Sequence, residues 1–233
     1  MPDLKRAFAI GLGVVLVSLV AVSTQAVAAV QLVTNGSFQQ GNPTASYLIA
    51  GSLPGWSTTS SYSFLVLPGQ ATVNMGNGTK LYTFPTTSPD GGDFLVQDGG
   101  YGIGTLSQTL VGLVVGQAYT VSFFQASGQQ SGYTGTTTEQ WLVSFGNQSQ
   151  ESTLMTTPQA GSEGWMAQTM TFVANATTAT LGFLAQGTPT GQPPFVGLDG
   201  VSVVAAPEPA SIALTGVGVL GLLAVRRTRR KRG

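Results

Sequence analysis

The 233-residue chain contains no cysteine and no histidine. No disulfide can staple it, and thiol nucleophiles, Ser-His-Asp triads and His- or Cys-ligated zinc or copper sites are excluded. Any bound metal would have to be hard and oxygen-liganded, which means calcium or magnesium. Charge is scarce as well, at 8% of residues. Eight of the nine basic side chains sit at the two ends, so Lys80 is the only positive one between residues 30 and 206. Facing it are Asp90, Asp93, Asp98, Glu139, Glu151, Glu163 and Asp199; one positive and seven negative charges leave this stretch at −6. Such a surface does not attract phosphate, which argues against nucleic acid as a partner.

Long apolar runs occur only at the ends. Lys5 and Arg6 precede the run Ala7 to Val22, and Ala26-Val27-Ala28 follows as a small-x-small cleavage site. This order predicts a secretory signal peptide over residues 1–29. The run of 16 residues falls short of the roughly 20 that span a bilayer core. At the other end, Pro207-Glu208-Pro209 leads into the apolar run 210–225 and then the basic tail 226–232. Arg226, Arg227, Arg229, Arg230, Lys231 and Arg232 follow the apolar run as a stop-transfer signal would, predicting a transmembrane segment with a cytoplasmic tail. Motif, apolar segment and basic tail together resemble the PEP-CTERM sorting signal of exopolysaccharide-producing Gram-negative bacteria. The resemblance implies recognition of the Pro-Glu-Pro by a membrane protease-transpeptidase, the exosortase. It also implies export by signal peptidase and the secretion machinery, a transient stay in the inner membrane, and release to the cell surface or extracellular matrix.

Between the ends, about 177 residues suffice for one domain with a real core. Strand-like runs recur at 62–67, 94–97, 105–110, 118–126, 140–145, 166–173, 179–185 and 196–204, separated by Gly, Pro, Asn and Ser. Several alternate with period two, as Tyr119, Val121 and Phe123 do against Thr120 and Ser122. The pattern predicts an all-β, antiparallel two-sheet sandwich, a jelly roll, over residues 30–206. The polar gaps 74–92 and 127–139 read equally as binding loops or as bland connections.

Leu32-Val33-Thr34-Asn35-Gly36-Ser37-Phe38 with Leu53-Pro54-Gly55-Trp56, then Ser107-Gln108-Thr109-Leu110 with Gly112-Leu113, Gly116, Tyr119, Val121 and Phe123, and last Val196 to Val203 appear in order. They resemble the opening, central hairpin and final strand of secreted galactose-binding-like domains. That resemblance implies a jelly-roll fold and carbohydrate or cell-wall association without catalysis. It also implies a structural calcium between the first and last strands. The candidate ligands here are Asn35, Gln39 and Asp199, with Gln39 standing where the family usually has Glu. Asp90, Asp93 and Asp98 lack the spacing of a calcium loop and read as turn caps.

Sugar rings offer an apolar C–H face to aromatic planes, so exposed aromatics are the candidate glycan contacts. Tyr82, Tyr101 and Tyr133 lie in Gly-rich polar stretches and read as loop-borne platforms, whereas Trp141 and Trp165 read as core. Trp56, after Pro-Gly, fits either role and joins the glycan-binding candidates. Three functions follow: a non-catalytic surface or matrix protein that touches polysaccharide, a hydrolase using two carboxylates, or a structural biofilm component with no discrete ligand. No carboxylate spacing argues for the pair that glycoside hydrolysis requires. The Asn-x-Ser/Thr triplets at Asn35, Asn77, Asn147 and Asn175 read as turns.

Overall fold

The computed structural model describes residues 30–40 and 43–207. The signal-peptide reading of 1–29, and the sorting segment beyond Pro207 with its apolar run and basic tail, lie outside the described residues.

The described chain is all-β. Its strands are β1 (Tyr47–Leu48), β2 (Ser52–Leu53), β3 (Trp56–Thr58), β4 (Ser63–Val66), β5 (Phe94–Asp98), β6 (Thr105–Val111) and β7 (Ala118–Gln129). There follow β8 (Thr137–Phe145), β9 (Gln148–Glu151), β10 (Met155–Thr157), β11 (Ser162–Val173), β12 (Thr178–Thr188) and β13 (Pro194–Ala205). They form two antiparallel sheets, one ordered β1-β4-β5-β13-β7-β11 and the other β10-β8-β12-β6-β3-β2, with β9 on β8. Each predicted strand is present.

Period two explains the main core. Tyr119, Val121 and Phe123 of β7, Val143 and Phe145 of β8, Leu181 and Phe183 of β12 and Val201 and Val203 of β13 meet between the sheets. Full burial of each large side chain is worth about 1.5–3 kcal/mol. Towards one end the same inward positions turn polar: Gln125, Ser127, Gln129, Thr137, Glu139 and Thr157 are all fully buried. They pair internally, Gln125 Nε2 donating to the Thr153 carbonyl at 2.7 Å and Gln129 Nε2 to that of Gly135 at 2.8 Å. Buried polar groups persist where they are satisfied in this way, and in this set only Gln125 Oε1 is left without a partner.

The gap 74–92 is not a bland connection, because it builds core. Its Met75, Leu81 and Phe84 are buried with Phe64, Val66, Phe94, Val96, Ala126 and Phe195 in a second core. That cluster lies on the face of the β4-β5-β13-β7 layer turned away from the main core. Trp165 joins it edge-on, 5.8 Å from Phe84 and 5.4 Å from Phe94. Gly197 allows the approach, because a Cβ there would lie 2.8 Å from the Phe84 ring. The gap 127–139 continues β7 to Gln129 and begins β8 at Thr137, with a turn between them that carries Tyr133.

The sandwich has two distinct ends. β7 runs from Ala118 at one to Gln129 at the other, about 40 Å for 12 residues at 3.3 Å each. The chain leaves at the Ala118 end, where the Ala206 N–H donates to the Ala118 carbonyl.

Candidate functional site

The opposite, Gln129 end collects the exposed tyrosines. β5 stops at Asp98, which pairs with Phe195 at the start of β13, so the turn carrying Tyr101 emerges there. Asp98 shapes that turn: its Oδ1 accepts the N–H groups of Gly100 at 2.7 Å and Tyr101 at 3.0 Å. The turn-cap reading holds at this aspartate. Its Oδ2 is buried without a partner, and burial pushes the carboxyl up to about 6 despite those two donors. The Tyr101 ring stands edge-on to Tyr62 at 5.3 Å, and the Tyr62 hydroxyl bonds Thr79 Oγ1 at 2.9 Å. Tyr82 is placed by its N–H donating to the Gln129 carbonyl, and Tyr133 sits in the β7–β8 turn. Tyr82, Tyr101 and Tyr133 are all solvent-exposed, Tyr101 most of all at 65%. The structure brings them to one end; no ring–ring contact joins the three.

Trp56 does not join them. It is 2% exposed, packs against Phe38 at 5.7 Å and Phe183 at 6.2 Å, and donates its indole N–H to the Asn35 carbonyl at 3.0 Å. Pro-Gly turns the chain so that Trp56 points inward from β3, so it is a core residue and offers no face to a ligand. Trp141 is fully buried, as expected.

A groove of about 400 Å³ lies on the outer side of the β8-β12 sheet, lined in part by Gly99 and Ile103 of the turn that carries Tyr101. Its floor is made of directly opposed pairs: Gln140 with Gln186, and Thr138 with Thr188. Gln140 Nε2 donates to Gln186 Oε1 at 3.0 Å, and the two threonine hydroxyls are 2.6 Å apart. Ile103 and Leu154, both over half exposed, form apolar walls. Amides and hydroxyls between aliphatic walls, without charge, match a neutral polyhydroxylated ligand. Sequence reasoning missed these residues, because outward Gln and Thr positions become a floor only once register pairs β8 with β12.

No carboxylate lines this groove among the described residues. Glu139, between Thr138 and Gln140, faces the interior. Its Oε1 accepts the Thr137 hydroxyl and its Oε2 that of Thr157 at 2.7 Å. Burial pushes its carboxyl up to about 7 against those hydrogen bonds.

The calcium candidates separate. Asn35 donates its Nδ2 to the Pro54 carbonyl at 2.7 Å, and its Oδ1 accepts the Gln40 N–H at 3.0 Å. Gln39 Nε2 sits among three backbone carbonyls, those of Ser37, Gly91 (3.3 Å) and Asp93 (2.9 Å). Convergent carbonyls are donors of the kind calcium takes, and turning the amide would add Oε1 to them. Asp199 is fully buried with neither oxygen paired, and burial pushes its carboxyl up to about 7. The Ser88 hydroxyl and the Gly200 N–H temper that rise without closing a hydrogen bond. Asp90 and Asp93 lie near enough to raise it further. No group of three or more acidic side chains is placed to hold a metal ion among the described residues.

No protein-family profile matches the chain, and no curated protein matches it by sequence. The solved structures it resembles include carbohydrate-binding modules, adhesin domains and the enzymatically active domain of a bacteriophage tailspike protein. A family 61 carbohydrate-binding module in complex with β-1,4-galactotriose is 12% identical, with a TM-score of 0.46 over 76% of this chain and 99% of that one. A family 4 module is 15% identical, with a TM-score of 0.38 over 75% and 99%. The K3 adhesin domain of Lys-gingipain from Porphyromonas gingivalis is 11% identical, with a TM-score of 0.45 over 76% and 98%.

Proposed function

We propose that this chain is an exported, non-catalytic surface or matrix protein that binds polysaccharide weakly through the tyrosine-bearing end of a galactose-binding-like jelly roll. One observation carries the reading: Tyr82, Tyr101 and Tyr133 are exposed at the same end as an uncharged groove floored by Gln140, Gln186, Thr138 and Thr188. Stacking on tyrosine and a few hydroxyl hydrogen bonds sum to micromolar-to-millimolar affinity, about −4 to −8 kcal/mol. Many copies in one matrix then act together. Among the described residues the groove holds no general acid, and Glu139 is sealed inside, which weighs against the hydrolase alternative.

In this reading signal peptidase removes residues 1–29, and the apolar run 210–225 holds the chain in the inner membrane until an exosortase acts at Pro207-Glu208-Pro209. The carbonyls of Ser37, Gly91 and Asp93, with Gln39 Oε1, would hold a structural calcium. Titrating the domain spanning residues 30–206 with extracellular polysaccharides of the host, beside Gln140→Ala and Tyr101→Ala, tests the binding. A folded domain that ignores all of them at millimolar concentration leaves the structural-component reading standing.

A further inference from the structure

The end from which the chain leaves carries a second surface. The β6–β7 turn, residues 112–117, is held rigidly there. Leu113 plugs the core at 3% exposure, and the Val114 N–H donates to the Tyr119 hydroxyl at 2.9 Å. The Gly116 N–H donates to the Ala174 carbonyl, and that of Ala174 to the Gln117 carbonyl. The turn therefore holds Val114 and Val115 out in solvent, 62 and 60% exposed, with Val111 at 64% and Val173 at 46% on the flanking strand ends. Val30, also exposed, reaches the same end, because the Leu32 N–H donates to the Val203 carbonyl. Aliphatic side chains presented together on a firm support mark an interaction surface.

Its surroundings indicate what it meets. No charged residue occurs in the turns of this end, 111–117, 146–148 and 173–178, or in 30–34 and 201–207, although the domain carries −6 overall. The exit is tied to the turn itself, Gln117 Nε2 donating to the Ala206 carbonyl at 3.1 Å. From Ala206 the apolar run begins four residues on, at Ala210, within about 14 Å of chain. Only Glu208 intervenes as a charge.

We propose that the valine end, Val111, Val114, Val115 and Val173, seats on the bilayer surface while the run 210–225 is in the membrane. This fixes the domain upright, with its tyrosine end facing away. The inference rests on the membrane-held stage of the function proposed above. Neutral aliphatic side chains partition into the headgroup and acyl boundary, and no carboxylate at this end is repelled by anionic lipid. The short tether keeps the turn at the surface, so even weak contact persists.

The absence of cysteine permits a direct test. Val114→Cys, Val115→Cys and, at the far end, Thr136→Cys are made singly in the full chain and labelled with an environment-sensitive fluorophore. They are then reconstituted in phosphatidylcholine–phosphatidylglycerol vesicles, with and without nitroxide-labelled lipid. The chain should float with the vesicles, and emission at 114 and 115 should fall at least twofold with nitroxide while emission at 136 is unchanged. A chain that does not float overturns the membrane-held reading and this inference with it. A chain that floats with 114 and 115 quenched no more than 136 overturns the inference alone. Concentration-dependent shielding of 114 and 115 without lipid quenching also overturns it, in favour of a second copy on this surface.

Discussion

The indole N–H of Trp141 donates to the carbonyl of Gly197 at 3.0 Å, joining β8 of one sheet to β13 of the other through the interior. Both partners are buried, so the bond is shielded from water and the indole N–H is satisfied inside the core.

Trp141→Phe keeps an aromatic against Phe183, 5.9 Å away, but removes the bond to the Gly197 carbonyl and opens a cavity. The expected loss is about 2–4 kcal/mol of unfolding free energy. Urea denaturation of wild type and variant measures it; a loss under about 0.5 kcal/mol would show that the bond contributes little.

The tyrosines and Trp56 should respond oppositely to truncation. Tyr101→Ala and Tyr133→Ala should weaken glycan binding about tenfold each and change stability by under 1 kcal/mol, as exposed positions do. Trp56→Ala should cost about 3–5 kcal/mol, because it empties a packed site beside Phe38 and Phe183. Calorimetry paired with thermal melts separates the two effects.

Acid should stabilise the fold. Glu139 rises from 4.5 to about 7 and Asp98 from 3.8 to about 6, both chiefly by burial. The folded chain then binds more protons than the unfolded chain across that interval. The stability these groups contribute is fully present below about pH 4 and is lost as pH rises through 6 to 7. At about 1.4 kcal/mol per pH unit of displacement, the fall is on the order of a few kcal/mol. Glu139→Gln should flatten part of the decline, raising Tm at pH 8 and leaving it nearly unchanged at pH 4. A wild-type melting temperature that climbs steadily from pH 4 to 8 would contradict this account.

Calcium, if held by the carbonyls around Gln39, stabilises the folded state by mass action, about 2.7 kcal/mol at a hundred times Kd. Melting in calcium against chelator should show the shift, and Gln39→Ala should reduce it. An unchanged melting temperature at millimolar calcium would mean that the Gln39 amide itself bridges these carbonyls.

The sequence marked the strands well where apolar residues alternated and poorly where they did not. Alternation of apolar residues marks β7 as far as Ala126, and beyond it the inward positions Ser127 and Gln129 are polar. Their partners, Thr157 and the Gly135 carbonyl, are distant in sequence, so nothing local distinguishes such positions from a polar turn. β8 was clipped likewise before Gln140, since Thr137 and Glu139 are buried polar residues. Tyr101 was legible from its Gly-rich setting, whereas the Gln140–Gln186 floor depends on a cross-strand register that no short motif encodes. The role of Trp56 turned on which way a Pro-Gly turn faces, and composition does not carry that.

The segment from 67 to 92 makes the β4-β5-β13-β7 layer a middle layer, walled on both sides. Every residue of β4 and β5 is consequently buried, and these strands show no alternation at all. A domain that might have offered two broad faces to an extended polymer keeps one of them for its own chain. The broad face left open is the β8-β12 side, so copies of the domain that shared one extended partner along this face would all meet it with the same flank.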